Sequence, residues 1–207
     1  MLPLFHDFEG RAIVVVGGGP VAHRKARTFA EAADVTVVAP EFVDGFEELE
    51  CTLVRRTLEP AEAPRVVADA SLVVPATDDQ RLNDALAAAA REAGCLVNRV
   101  DERGDVVTPS RAESDRITVA IATDGASPAT SKYLRTRIEP LLERADPMVT
   151  LQAELREGLQ AADELPTAKR REALWAVLED EQTWELLAAG HREEARARAW
   201  ELIEYLE

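Results

Sequence analysis

The stretch whose reading decides the fold is Val14-Val15-Val16-Gly17-Gly18-Gly19-Pro20-Val21-Ala22. Residues 12–16 (AIVVV) form a short, unbroken apolar run bounded by glycines, the mark of a strand buried on both faces. Residues 20–33 follow with Val21, Ala22, Ala26, Phe29 and Ala30 at helical spacing, while Arg24, Lys25 and Arg27 turn outward. A G-x-G-x-x-A pattern between a strand and a helix has the context of a dinucleotide-binding fingerprint. In the glycine turn Gly17-Gly18-Gly19, Gly17 permits the tight bend and Gly19 lets backbone approach a diphosphate. Ala22 allows close helix–strand packing, and the helix N-terminus attracts phosphate. A tight turn with no ligand is the plainer alternative.

Working outward, residues 34–39 (DVTVVA), 51–54, 72–75 (LVVP), 95–100 and 117–122 (ITVAIA) read as further strands. Residues 80–93 form an alanine-rich helical stretch that Gly94 breaks. Strands alternating with helices predict an α/β fold, a Rossmann-type parallel sheet whose ligand edge is at the strands' carboxyl ends. Near residue 105 the alternation stops. Ser127 and Pro128 cap and open a helix reaching about residue 144, with a kink or boundary at Pro140. Beyond Pro147 the spacing predicts helices over 149–162, 167–178, 183–189 and 193–206, with Trp175, Trp184 and Trp200 as core pieces.

The 207 residues carry 24 Lys+Arg against 39 Asp+Glu, a net charge of −15, with 46% hydrophobic residues. That is enough for an ordinary core, with no apolar run long enough to span a bilayer. The acidity argues against a nucleic-acid binder, and residues 1–10 lack a secretory signal, so a cytoplasmic protein is expected. Lysine occurs only at 25, 132 and 169. An acid-rich, lysine-poor surface stays hydrated at high salt and points to a halophilic setting; a mildly acidic proteome is the blander account. Cys51 and Cys95 are far apart and read as reduced structural thiols.

Three more groups carry chemistry. The fingerprint's acid is missing at the end of the second strand, where Val38-Ala39-Pro40 stands, so either Glu41 or backbone around Pro40 holds the adenosine end. No arginine stands there for a 2′-phosphate, which favours NAD over NADP. Ala76-Thr77-Asp78-Asp79 lies where a nicotinamide ribose would reach, making Thr77 and Asp78 cofactor candidates; alternatively Asp78 or Asp79 caps the next helix. Asn98-Arg99-Val100-Asp101 ends a strand in a carboxylate able to move a proton or ligate a metal. Between Arg99 and Arg137 seven basic side chains, Arg103 among them, meet six acidic ones, a locally basic stretch that suits an anionic ligand.

These pieces, with Leu2-Pro3-Leu4-Phe5, Arg24-Lys25 and Thr123-Asp124-Gly125-Ala126-Ser127-Pro128, occur in an order that resembles the precorrin-2 dehydrogenase/sirohydrochlorin ferrochelatase family, the N-terminal part of siroheme synthases. The resemblance covers essentially the whole chain. It implies an NAD-binding Rossmann domain (1–109), a small α+β dimerisation segment (110–146) and a helical C-terminal domain (147–207). It implies NAD-dependent oxidation of precorrin-2 to sirohydrochlorin in siroheme biosynthesis, by a homodimer, with ferrous iron inserted as co-substrate by some members. Asp101 falls on the family's catalytic aspartate, a proton acceptor and transient metal ligand in chelation. Pro20, Val21, Pro40 and Glu41 fall on its NAD contacts. Arg99, Ser127 and Lys132 are candidates to hold a tetrapyrrole's carboxylates. Arg99 departs from the apolar residue common in that motif, and Thr123 stands where relatives often carry Ser. With no methyltransferase domain in the sequence, the chain is not expected to make precorrin-2. A rival reading is an NAD-sensing regulatory Rossmann module, which needs neither Asp101 nor the helical tail.

Overall fold

In a computed structural model, residues 2–102, 104–162 and 165–204 are described, and the chain divides into two compact units, Met1–Thr108 and Pro109–Glu207.

The first unit is built on the run that opens the sequence. β1 (Ala12–Val16) pairs in parallel with β2 (Asp34–Ala39) on one side and β4 (Leu72–Pro75) on the other. With β3 (Cys51–Arg55) and β5 (Leu96–Val97) the sheet order is β3-β2-β1-β4-β5, all parallel. The order reverses between β1 and β4, which opens a crevice at their carboxyl ends. Alternate residues serve opposite faces. Ile13, Val15, Val35, Val37, Leu72 and Val74 pack with Ala22 and Ala26 of α1 (Pro20–Ala30) and with Phe46. Val16, Val38, Val73 and Val97 pack with Val67 of α2 (Ala63–Val67) and Leu82, Leu86 and Ala90 of α3 (Gln80–Ala93).

The boundaries of α3 follow from its flanks. Asp79 accepts from the amides of Arg81 (2.9 Å) and Leu82 (3.2 Å), so Asp79 is the cap of the two aspartates. Gly94, at φ 72°, takes the left-handed turn that ends the helix. The strand expected over 95–100 is shorter. The Cys95 amide is drawn into the helix end by Ala90 O (2.8 Å), and after the Asn98 amide reaches Val73 O (3.0 Å) the chain folds back. Val106 N then donates to Val97 O (3.2 Å), and a Cβ on Gly104 would lie 2.5 Å from that same oxygen, an approach that glycine alone permits.

The second unit opens with an antiparallel pair, β6 (Ser110–Glu113) and β7 (Thr118–Ile121). Its turn is held by Asp146, whose carboxylate accepts from Ser114 Oγ (2.9 Å) and the amides of Asp115 (3.0 Å) and Arg116 (3.1 Å). Asp146 belongs to α4 (Pro128–Ala162), which runs unbroken through Pro140 and Pro147. Of the kink or boundary expected at Pro140, a boundary is absent; the fresh helix expected at 149 is a continuation of α4, and position 146/147 also falls inside it. Each proline removes one helical donor, and seven residues apart they fall close together on one face. The burial of Leu142, Met148, Leu151, Leu155 and Leu159 carries the helix past them.

Ala173 and Val177 of α5 (Thr167–Glu179), Leu187 of α6 (Glu181–Ala188) and Ala195, Ala199 and Ile203 of α7 (Arg192–Glu204) complete that core. Asp180 caps α6 through the Thr183 amide (2.9 Å) and draws α7 in through Arg198 (2.9 Å). Trp184 and Trp200 pack against this core. Trp175 does not: it is 60% exposed, its indole N–H bonded to Glu179 (2.9 Å). The predicted end of the last helix, at Leu206, lies outside the described residues. Among the described residues, no helix is long and apolar enough to cross a membrane.

Candidate cofactor-binding and catalytic site

The three glycines after β1 have different duties. Gly17, at φ 131°, donates its amide to Val38 O (2.9 Å), and a Cβ there would stand 2.2 Å from Ala76 O. A Cβ on Gly18 would stand 1.8 Å from Glu41 O, and Gly18 O accepts the Val43 amide (2.9 Å). These two glycines therefore weld the β1 turn to the loops after β4 and β2. Gly19 is the exception: beyond its chain neighbours, no described heavy atom lies within 4 Å of its would-be Cβ. It is the N-cap residue of α1, extended (φ −84°, ψ −178°), with no side-chain cap, and the first turn holds no acid. The first intrahelical bond is His23 N to Gly19 O (3.0 Å), so the Val21 and Ala22 amides have no partner within the helix. An open space fronted by orphan N–H groups and a positive helix end fits a diphosphate. Gly18→Ala is expected to lower both the unfolding midpoint and dinucleotide affinity, because rigid backbone blocks the methyl. Gly19→Ala should leave the fold intact, and denaturation and binding titrations on the pair check the contrast.

Pro40 and Glu41, beyond β2, are exposed beside this turn. The parallel register sets Arg55 opposite Ala39, an adjacency that linear sequence hides. Its guanidinium lies over the Phe42 ring (4.9 Å) and near Glu47 (3.6 Å). Beyond β4, Thr77 is engaged by the first turns of α3. Its hydroxyl and amide donate to Asn83 Oδ1 (2.8 and 3.2 Å), and Asn83 Nδ2 returns a bond to Thr77 O (2.9 Å). Asn83, which sequence reasoning passed over, is buried, whereas Asp78 is exposed.

The carboxylate after β5 is held on both oxygens. Asp101 takes a two-pronged bond from Arg99, Nε to Oδ1 at 2.8 Å and Nη2 to Oδ2 at 2.6 Å. Nη1 of the same guanidinium lies 3.0 Å from Asp84 of α3 and 3.0 Å from Glu102. The Arg99 side chain is 1% exposed, that of Asp101 25%. The guanidinium's bonds pull the Asp101 pKa down to about 2, against a smaller opposing effect of desolvation, while the Arg99 pKa rises through its bonds to Asp101. Arg99, a candidate for the substrate's carboxylates, is thus turned inward onto the protein's own acids, which corrects that expectation. Neighbouring Asn98 donates Nδ2 to Val106 O (2.9 Å), yet its buried Oδ1 has no hydrogen-bond partner among the described residues. A buried acceptor left open at a ligand edge suits a ligand N–H.

Ser127 and Lys132 belong to the second unit. Ser127 Oγ accepts the Thr130 amide (3.2 Å) as the cap of α4, and Thr123 Oγ1 accepts the Ser127 amide (3.3 Å); Lys132 is exposed. Of the basic stretch, Arg103 lies outside the described residues. Among the described residues no group of three or more His, Cys, Asp or Glu is disposed to hold a metal ion.

A parallel sheet with its order reversal beside an open glycine turn is the architecture of a Rossmann-type dinucleotide-binding protein, and residues 4–110 match the family described as "Putative NAD(P)-binding". A precorrin-2 dehydrogenase of Methanosarcina barkeri is 40% identical over 213 residues, covering 98% of this chain and 93% of that one. The chain belongs to the precorrin-2 dehydrogenase family. A siroheme synthase of Thioalkalivibrio sulfidiphilus is 36% identical over 204 residues, or 94% of this chain and 40% of the longer protein. The solved structure of SirC, a precorrin-2 dehydrogenase, superposes with a TM-score of 0.73 at 25% identity, over 99% of this chain and all of that one.

Proposed function

We propose that the protein is an NAD-dependent dehydrogenase that oxidises precorrin-2 to sirohydrochlorin in siroheme biosynthesis. The observation that carries the reading is the pairing of an uncrowded Gly19 turn with an Asp101 carboxylate gripped by Arg99, each following a strand of one parallel sheet. Gly19 with the Val21 and Ala22 amides holds the diphosphate, with Pro20 fixing the helix start and Gly17 and Gly18 locking the turn. Pro40 and Glu41 border the adenosine end, and Thr77 and Asp78 the nicotinamide ribose. Bound NAD supplies the hydride acceptor. Precorrin-2 gives up a hydride and a proton, and Asp101 Oδ takes the proton. A carboxylate this weakly basic takes it from a strongly acidic position, such as one made as hydride leaves, and releases it readily to water. Ser127 and Lys132 meet the substrate's carboxylates.

Ferrous iron insertion into sirohydrochlorin is assigned to the same site as a second activity, with iron as substrate and Asp101 as the ionised group that receives it in passing. Mixing the protein with precorrin-2 and NAD, with and without ferrous iron, and recording absorbance tests both. NADH and the sirohydrochlorin spectrum should appear together, and a siroheme spectrum should follow on adding iron. Binding of NAD with no turnover would instead fit a sensing module.

A homodimer and a salty cytoplasm complete the proposal. The first half of α4 leaves Tyr133 60% and Leu141 62% exposed, and β6 and β7 pair with no other strand among the described residues. Exposed apolar side chains beside unpaired strand edges suit a second copy. The protein should sediment as a dimer at high salt, where screening weakens repulsion between two acidic chains, and Leu141→Glu should shift it to monomer. A wild-type monomer overturns this.

A further inference from the structure

Resting on the assignment of Asp101 as proton acceptor, we propose that Arg99 is the positioning residue for that carboxylate, a guanidinium sunk in the protein that fixes the plane of Asp101 while Asp84 and Glu102 hold it from behind. Asp101 lies in a bend beyond the end of β5, where a lone aspartate would swing freely about its side-chain torsions. The fork at 2.8 and 2.6 Å removes that freedom, because two parallel bonds fix a plane where one fixes a point. Gln80 and the Asp101 amide add weaker hydrogen bonds to the same carboxylate, but the two-pronged Arg99 bond is the largest influence on it.

Arg99 is itself immobilised. Its third nitrogen bonds Asp84, which α3 carries, so the clamp is referenced to a helix packed on the sheet and not to the loop alone. Asp84 and Glu102 are 58% and 55% exposed, whereas Asp101 is the partner held on both oxygens. Lysine would supply the charge without the fork.

Steady-state kinetics of precorrin-2 oxidation on the full chain test the clamp. Arg99→Leu should lower kcat about tenfold or more with KM for NAD within about twofold, since geometry at the reacting atoms is lost and cofactor binding is not. Arg99→Lys should recover part of kcat, and should Arg99→Leu not fold, the same split in Arg99→Lys decides. In an Asp101→Ala background, Arg99→Leu should cause no further fall, because nothing remains to be positioned. Wild-type kcat in Arg99→Leu, or an equal fold-loss in both backgrounds, overturns the clamp and leaves the role of Asp101 standing. A fully active Asp101→Ala overturns that role, and the clamp with it.

Discussion

Gly19→Asp should abolish NAD binding in a protein that remains folded. The backbone at Gly19 is extended at φ −84°, which any residue adopts, and beyond its chain neighbours no described heavy atom stands within 4 Å of a new Cβ. Aspartate is moreover a favoured N-cap residue, so the helix loses nothing and can gain stability. Its carboxylate would accept from the amides of Val21 or Ala22, the donors a diphosphate needs, and would add a negative charge where the phosphates arrive. Two like charges about 4 Å apart repel by about 4 kcal/mol at an effective dielectric constant of about 20, roughly a thousandfold in affinity. Calorimetric titration with NAD reads the loss, and an unaltered melting temperature shows that it is not misfolding. Affinity equal to wild type would reject the glycine turn as the diphosphate site.

Asp101→Ala should leave NAD affinity within about twofold and cut turnover by about a hundredfold or more, the scale of a lost proton acceptor. The pH dependence carries a second signature. With its pKa drawn down to about 2 by Arg99, Asp101 is ionised well below the ordinary aspartate range. An acid limb near the ordinary aspartate value should therefore be missing from the pH–kcat profile. For stability the sign runs the same way. A depressed folded-state pKa contributes above the unfolded value of 3.8 and is lost as pH falls through about 2. Wild-type turnover in the alanine variant, or an acid limb near pH 4 that the variant lacks, is incompatible with this account.

Much of the fold is legible where local chemistry is unambiguous. The AIVVV run, the glycine turn, LVVP and the helix between Asp79 and Gly94 reappear with the expected bounds, because both their apolar pattern and their punctuation are local. Which aspartate caps α3 is settled by which amides the side chain reaches, and adjacent Asp78 and Asp79 look alike in one dimension. The inward turn of Arg99 depends on Asp84, fifteen residues earlier, and on Glu102. Arg55 meets Ala39 only through strand register. Prolines 140 and 147 signal helix ends that do not occur, Leu142 and Met148 being buried close beside them, and Trp175 shows that an aromatic in a helix packed on the core need not face it. Local pattern marks Asp101 only as a strand-end acid able to move a proton and Lys132 only as part of a basic stretch, and resemblance to relatives narrows these to a particular reaction, since such an acid or a helix cap like Ser127 looks the same whether or not it touches a ligand.

The hold of Asp146 on the β6–β7 turn has a consequence for hydrogen exchange. A two-stranded ribbon is marginal alone, and Asp115 and Arg116 at its tip face solvent, where amide protons ordinarily swap within moments. Tied to a carboxylate on α4, these two protons can leave only when the ribbon lifts from the helix. They should therefore be as slow to take up deuterium as the strands themselves, and Asp146→Ala should release them while the sheet of the other unit keeps its protection.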